Sequence, residues 1–246
     1  MPKRPITDQI FETDDGSTMR IVIEPEDIRP TPGAVARYFG GPDYQMTPET
    51  YQRVCQGIQQ AVKIVDAVVC YRAIPMHKIE EESGVLLSEN SYTDILPDST
   101  DGHARYFAVY VGTLGGALES RCRHLASNNN IYQSLLLDAV GTAMLDAMGL
   151  MCNDLLEMHS QQMGLFIGCR LGPGLNGISL ESQALLFDLL ADDCAGVHLN
   201  EAYVMQPAKS ISGFVIYSDS AQRKPSGGKC QQCKMKHCQF RSALSQ

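Results

Sequence analysis

The chain has no run of 18 apolar residues free of charge. The nearest, Leu135 to Cys152, is interrupted by Asp138 and Asp146, which argues against a membrane span. Nor does it open like a signal peptide, because Met1-Pro2-Lys3-Arg4-Pro5 leads into polar and acidic residues. A cytoplasmic location is therefore expected. Positive charge is scarce: 20 Lys and Arg face 28 Asp and Glu, for a net charge of −8. That balance disfavours a nucleic-acid binder. Several catalytic signatures are missing too. There is no Gly-x-Gly-x-x-Gly after a strand and no Gly-x-x-x-x-Gly-Lys-Ser/Thr phosphate loop. There is no Gly-x-Ser-x-Gly elbow and no Cys-x3-Cys-x2-Cys of radical enzymes. Asp101-Gly102-His103 starts like the Asp-x-His-x-x-Gly of corrinoid-binding domains, but Tyr106 stands in the glycine position. The chain is not expected to carry cobalamin of its own.

What is present is ordinary globular material. The 246 residues are 44% hydrophobic and 20% charged, enough for a sizeable core in one large domain. The charge is uneven, however. From Arg223 onward there are six Lys or Arg and no acid, which leaves +6 in the tail and −14 in residues 1–222. Ser218 to Gly228 reads as a linker. The expected division is a domain over 1–220 and a cysteine-bearing tail over 221–246.

Periodicity suggests alternating helices and strands. Met19 to Ile23 alternates like a strand, followed by a turn-rich stretch from Glu24 to Gly33. Thr47-Pro48-Glu49 opens a helix expected to run to about Cys70. Arg105 to Val111 reads as a buried strand, followed by a glycine-rich turn and a helix to Leu125. Asn128 to Asn130 offers caps for the next helix. That helix, Ile131 to about Gln162, is apolar on most faces and should be central. Gly141, Ala143, Ala147 and Gly149 would let neighbours approach it closely. A strand over Leu165 to Cys169, a Gly/Pro loop over Leu171 to Gly177 and a helix over Leu180 to Asp192 follow. Two strands, His198 to Met205 and Ser210 to Tyr217, complete the order.

The candidate chemistry lies after residue 130. Arg170 stands at a strand end before Leu171-Gly172-Pro173-Gly174. A guanidinium fork beside backbone donors suits a carboxylate or phosphate; the alternative is a structural arginine at a tight turn. Asp138 and Asp146 interrupt the most apolar stretch. A buried carboxylate needs a cation, donors or a ligand, unless helix rotation brings it to the surface. The surface is favoured for Asp138, and both readings stand for Asp146. His77, His103, His124, His159 and His198 lack metal-type spacing. Six scattered cysteines (Cys55, Cys70, Cys122, Cys152, Cys169, Cys194) are expected to pack as reduced thiols. Cys230-x2-Cys233-x4-Cys238 differs in being a cluster within nine residues. It suits an iron–sulfur centre, or zinc with a further ligand, or a redox thiol tail without metal.

A family resemblance rests on several of these segments. They are Arg170-Leu171-Gly172-Pro173-Gly174, Leu180-Glu181-x-Gln183, and Leu199-Asn200-Glu201-Ala202-Tyr203-x-Met205-x-Pro207-x-Lys209-Ser210-x-Ser212-Gly213. Together they resemble the reactivation domain of cobalamin-dependent methionine synthase, which binds S-adenosylmethionine. Asp138 to Ala143 and Ala36 to Gly40 look like its stand-alone relatives, which often end in a cysteine-rich tail. The resemblance spans roughly residues 30–240 and is strongest over 165–215.

The resemblance implies an α+β fold, with a twisted, mainly antiparallel sheet, packed helices including one long central helix, and a short cysteine-rich tail. It also implies a shallow S-adenosylmethionine site. In the family's Arg-x-x-x-Gly-Tyr, Arg170 and Gly174 match, while Leu175 replaces the tyrosine. Asp146 stands where the family has a glutamate near the ligand, and the family's later tyrosine pair has no counterpart. The implied site comprises Arg170, Gly172, Pro173, Gly174, Leu175 and Asp146, with no catalytic residue assigned. The implied role is remethylation, with S-adenosylmethionine, of a corrinoid held on a partner protein or corrinoid methyltransferase system, with a reductase as a further partner. The tail, through Cys230, Cys233 and Cys238, would hold an iron–sulfur cluster or zinc. A different class remains open, that of a non-catalytic adaptor that binds a corrinoid protein or passes electrons.

Overall fold

The computed structural model describes residues 18–220 except 42, 77–102, 176–177 and 191–194. Four long strands and one short one make an antiparallel sheet in the order β1-β2-β3-β7-β4. They are β1 (Met19–Ile23), β2 (Ala67–Pro75), β3 (Ala104–Thr113), β4 (Phe166–Ile167) and β7 (Ser210–Ser218). The expected α+β architecture with a mainly antiparallel sheet is what the chain adopts. Alternate residues of β3 serve two cores, as a two-residue side-chain period requires. Ala108 and Tyr110 face a helical layer, whereas Phe107, Val109 and Val111 face the opposite side. A strand segment buried on both faces has no polar alternation, which is why Phe107 to Val111 reads as one apolar run.

The helical layer contains α1 (Pro32–Gly40), α2 (Pro48–Ile64), α3 (Ala117–Ser127) and α4 (Ile131–Gln162). The second face is covered by α5 (Gln183–Leu190), which follows a 3₁₀ turn (Leu180–Ser182). Helix α4 is the central one, with Leu137, Val140, Met144, Met148 and Leu155 buried along it. By length and composition it could cross a membrane, yet 56% of that window is buried inside the protein. That burial marks it as a core helix. Gly141 and Gly149 admit close neighbours as expected: a Cβ on Gly141 would lie 2.8 Å from the Leu118 side chain.

Local differences from the sequence reading have physical causes. Helix α2 stops at Ile64 rather than near Cys70, because Val68-Val69-Cys70 pairs in the sheet between β1 and β3. Helix α1 occupies part of the expected turn region. Thr31 accepts a bond from the Ala34 N–H at 3.2 Å, and Pro32 begins the first turn. Asn130 precedes α4 but makes no side-chain cap. Asn128 instead closes α3, donating from Nδ2 to the His124 carbonyl at 2.8 Å. The single strand expected over His198 to Met205 is a hairpin of β5 (His198–Leu199) and β6 (Met205–Gln206). Asn200 Oδ1 holds its turn by accepting from the Ala202 and Val204 amides at 2.9 and 3.0 Å.

Candidate functional site

The site begins at the short edge strand. Beyond β4 the chain stays attached to β7: the Gly168 N–H donates to Ile216 O at 2.9 Å, and Leu171 exchanges two backbone bonds with Phe214 at 3.0 and 2.9 Å. Leu171 joins the second core, so alternation directs Arg170 toward α4. There its Nη1 donates to the carbonyl of Gly149, and the guanidinium charge lies near the hydroxyl of Tyr110. Tyr110 is only 1% exposed, and burial pushes its phenol up.

Two glycines make room for this arrangement. A Cβ on Gly213 would lie 2.6 Å from the Tyr110 hydroxyl and 2.7 Å from the Leu171 carbonyl. A Cβ on Gly149 would lie 3.0 Å from Arg170 Nη1 and 3.0 Å from Ile211 Cδ1. The buried thiol of Cys152 completes the floor. Burial raises its pKa to about 12, against the opposing pull of Arg170.

Asp146 lies one turn earlier on α4. Residues three apart share a helix face with Cβ positions roughly 5–6 Å from each other. Asp146 is exposed, and its Oδ2 accepts a hydrogen bond from the Tyr38 hydroxyl of α1. Burial and the bond to Asp146 raise the Tyr38 phenol to about 12, so it stays protonated and donates. The ion pairs of the described residues do not join Asp146 to Arg170. Arg170 thus meets the helix at Gly149, one turn from Asp146, and the guanidinium and the carboxylate form no ion pair with each other. That is the charge pattern complementary to an α-amino-acid group, which carries one ammonium and one carboxylate.

The glycine loop contributes less than its sequence suggests. The Leu171 amide bonds Phe214 O, the Gly174 amide bonds Ile178 O at 3.0 Å, and the Leu175 amide bonds Gly172 O at 3.1 Å. An anion here meets the Arg170 guanidinium rather than these three donors. Gly172 is buried, Pro173 is half-buried, and Leu175 is 63% exposed at the rim.

The remaining motif residues brace the site. Buried Gln183 donates to Tyr203 O at 3.1 Å and accepts from the Ser212 hydroxyl at 3.0 Å, tying the hairpin to β7. Lys209 pairs with Asp138 at 2.8 Å and donates to Thr142 at 2.9 Å, while its amide donates to Glu119 at 2.9 Å. Asp138 is exposed, as favoured, and has its cation.

The described histidines are engaged. His103 contacts Asp219, His124 lies against Asn128, His198 contacts Gln206, and His159 packs between Tyr71 and Tyr217. Two scattered cysteines depart from expectation: Cys169 is exposed and Cys70 is disulfide-bonded. Among the described residues no group of three or more His, Cys, Asp and Glu could hold a metal. His77, Cys194, Cys230, Cys233 and Cys238 lie outside the described residues.

The sequence motifs single out Arg170 and Asp146 but neither Tyr38 nor Tyr110. Tyr110 falls within the strand expected over Arg105 to Val111 and Tyr38 within the Ala36 to Gly40 segment, so neither carries a site signal by itself. Only the pairing of α1 with α4 and the Tyr110–Gly213 register reveal their hydroxyls.

The comparisons agree with this architecture. No curated protein matches the chain. Among solved structures it is similar to a MetH reactivation domain bound to AdoHcy, at a TM-score of 0.56 and 13% identity. That likeness covers 87% of this chain and 86% of the other, and at such low identity it speaks to fold alone. The family model for the activation domain of vitamin B12 dependent methionine synthase matches residues 71–240. The chain belongs to that activation-domain family.

Proposed function

We propose that this chain binds S-adenosylmethionine across Arg170 and Asp146 and uses it to remethylate a corrinoid carried by a partner protein. The observation that carries the proposal is the pairing of Arg170 with Gly149 O one turn from Asp146, in a chain of this family. Arg170 would take the ligand carboxylate and Asp146 its ammonium, with Gly172, Pro173, Gly174 and Leu175 at the loop edge. In reactivation, one electron reduces Co(II) to Co(I). Co(I) takes the methyl group as the sulfonium C–S bond breaks, and S-adenosylhomocysteine leaves. The chemistry belongs to the corrinoid, so this chain's task is to position the methyl donor and exclude side reactions. As a stand-alone accessory protein it would need a corrinoid protein and a reductase as partners. Cys230, Cys233 and Cys238 would hold an iron–sulfur cluster that relays the electron. Zinc is the rival occupant, and it predicts a colourless protein.

A second reading, an adaptor that has lost the methyl donor, is favoured by Leu175 in the tyrosine position and by the engaged loop amides. Calorimetry with S-adenosylmethionine separates the two. Binding in the micromolar range that weakens about ten- to a hundredfold in Arg170→Ala supports methyl-donor binding. No heat of binding to the wild-type protein would leave only the adaptor. Anaerobic absorption and metal analysis then settle iron against zinc.

A further inference from the structure

The structure assigns to Tyr38 the role of positioning residue for Asp146, holding one carboxylate oxygen on α1 so that the other is presented to the ammonium group of the ligand; this rests on the proposed function. Asp146 stands exposed on α4, where a carboxylate could otherwise turn freely into solvent. The Tyr38 hydroxyl removes that freedom by donating to Oδ2. The donor is itself fixed. Its ring is half-buried at the end of the second turn of a nine-residue helix capped by Thr31, and neighbouring Val35 and Ala36 are buried. Because the phenol stays protonated through neutral pH, it donates to a carboxylate without competing for the cation. A lysine or arginine in its place would neutralise Asp146 and weaken its attraction for an ammonium. Tyr38 touches no reacting atom and acts through Asp146 alone.

The test is a ligand comparison and a double-mutant cycle by calorimetry. Tyr38→Phe keeps the ring and removes the hydroxyl. Its affinity for S-adenosylhomocysteine should fall about three- to tenfold, while methylthioadenosine, which has no amino-acid group, should bind as it does to wild type. In an Asp146→Asn background the same substitution should change nothing further. Equal loss for both ligands, additive effects in the cycle, or unchanged affinity would overturn the assignment. If Tyr38→Phe does not fold, carbon-13 NMR of tyrosine-labelled wild type replaces it. The Tyr38 signal should move on addition of S-adenosylhomocysteine and not of methylthioadenosine, and the opposite pattern would reject the role. Should wild type bind neither compound, the proposed function fails first, which is a distinguishable outcome.

Discussion

Gly149→Ala isolates the cradle of Arg170 from its charge. In a helix interior the change should favour folding by about 1 kcal/mol through propensity alone. Here the new methyl would sit 3.0 Å from both Arg170 Nη1 and Ile211 Cδ1, so two neighbours must give way together. Crowding of this kind costs roughly 1–3 kcal/mol. The balance is a protein between unchanged stability and a loss of about 2 kcal/mol. Ligand binding should suffer separately. Removing a charge-assisted pair costs roughly 1.5–3 kcal/mol, and displacing the guanidinium forfeits part of that. The expected loss is three- to tenfold in affinity for S-adenosylhomocysteine, measured by calorimetry beside urea melts of the same protein. A variant that melts higher than wild type and binds equally well would show that the arginine does not need this helix face, and the reasoning would be refuted.

Three further outcomes follow from other contacts. Gln183→Leu should lower stability by about 1–3 kcal/mol in urea melts, because it leaves Tyr203 O and the Ser212 hydroxyl without their partner; an unchanged midpoint would contradict the bracing role. Peptide mapping after brief iodoacetamide treatment at pH 8 should find Cys169 modified and Cys152 intact, since Cys169 is exposed while burial holds the Cys152 thiol up at about 12; rapid labelling of Cys152 would contradict its burial. Asp219 is held below the usual carboxylate range by hydrogen bonds from His103 and then Arg105. A folded-state pKa that is depressed adds stability above the unfolded value and loses it as pH falls through the folded one. Melts between pH 5 and pH 3 should therefore decline less steeply in Asp219→Asn than in wild type, and identical slopes would discount the contact.

How far the sequence reaches can be judged from particular residues. The core position of α4 was legible because its apolar residues leave no polar face. Arg170 stands out between a strand and a Gly/Pro loop, but that local pattern suits a structural arginine at a tight turn as well as an anion ligand, and the residues alone do not choose. The end of α2 was not legible, since Val65 to Cys70 is apolar in either a helix or a buried strand, and only pairing with β1 and β3 decides between them. The loop's backbone donors misled for a related reason. Glycines advertise N–H groups, but whether those groups face a ligand or a neighbouring carbonyl depends on closure of the loop onto Ile178 and Phe214. Tyr38 and Asp146 are 108 residues apart in the chain, and no local pattern joins them.

The site is shaped as much by missing side chains as by those present. Gly213 lets the Tyr110 hydroxyl stand against β7, and Gly149 lets Arg170 lie flat on α4. From these contacts one line runs out of the sheet: Gly213, Tyr110, Arg170, Gly149, then Asp146 and Tyr38 one turn away. Along it the positive group is anchored in the sheet core and the negative group on the helical surface. The two therefore depend on different parts of the fold. Disturbing α1 should loosen the carboxylate and leave the guanidinium in place, whereas disturbing β7 should do the reverse. A ligand that bridges both charges would tie α1 and the edge strand to α4 together, so binding should raise the stability of those two elements more than that of α3. Amide hydrogen exchange with and without S-adenosylhomocysteine reads this directly: added protection in α1 and around residues 168–172, with α3 unchanged, is the pattern the geometry requires, and uniform protection would mean that the ligand does not bridge them.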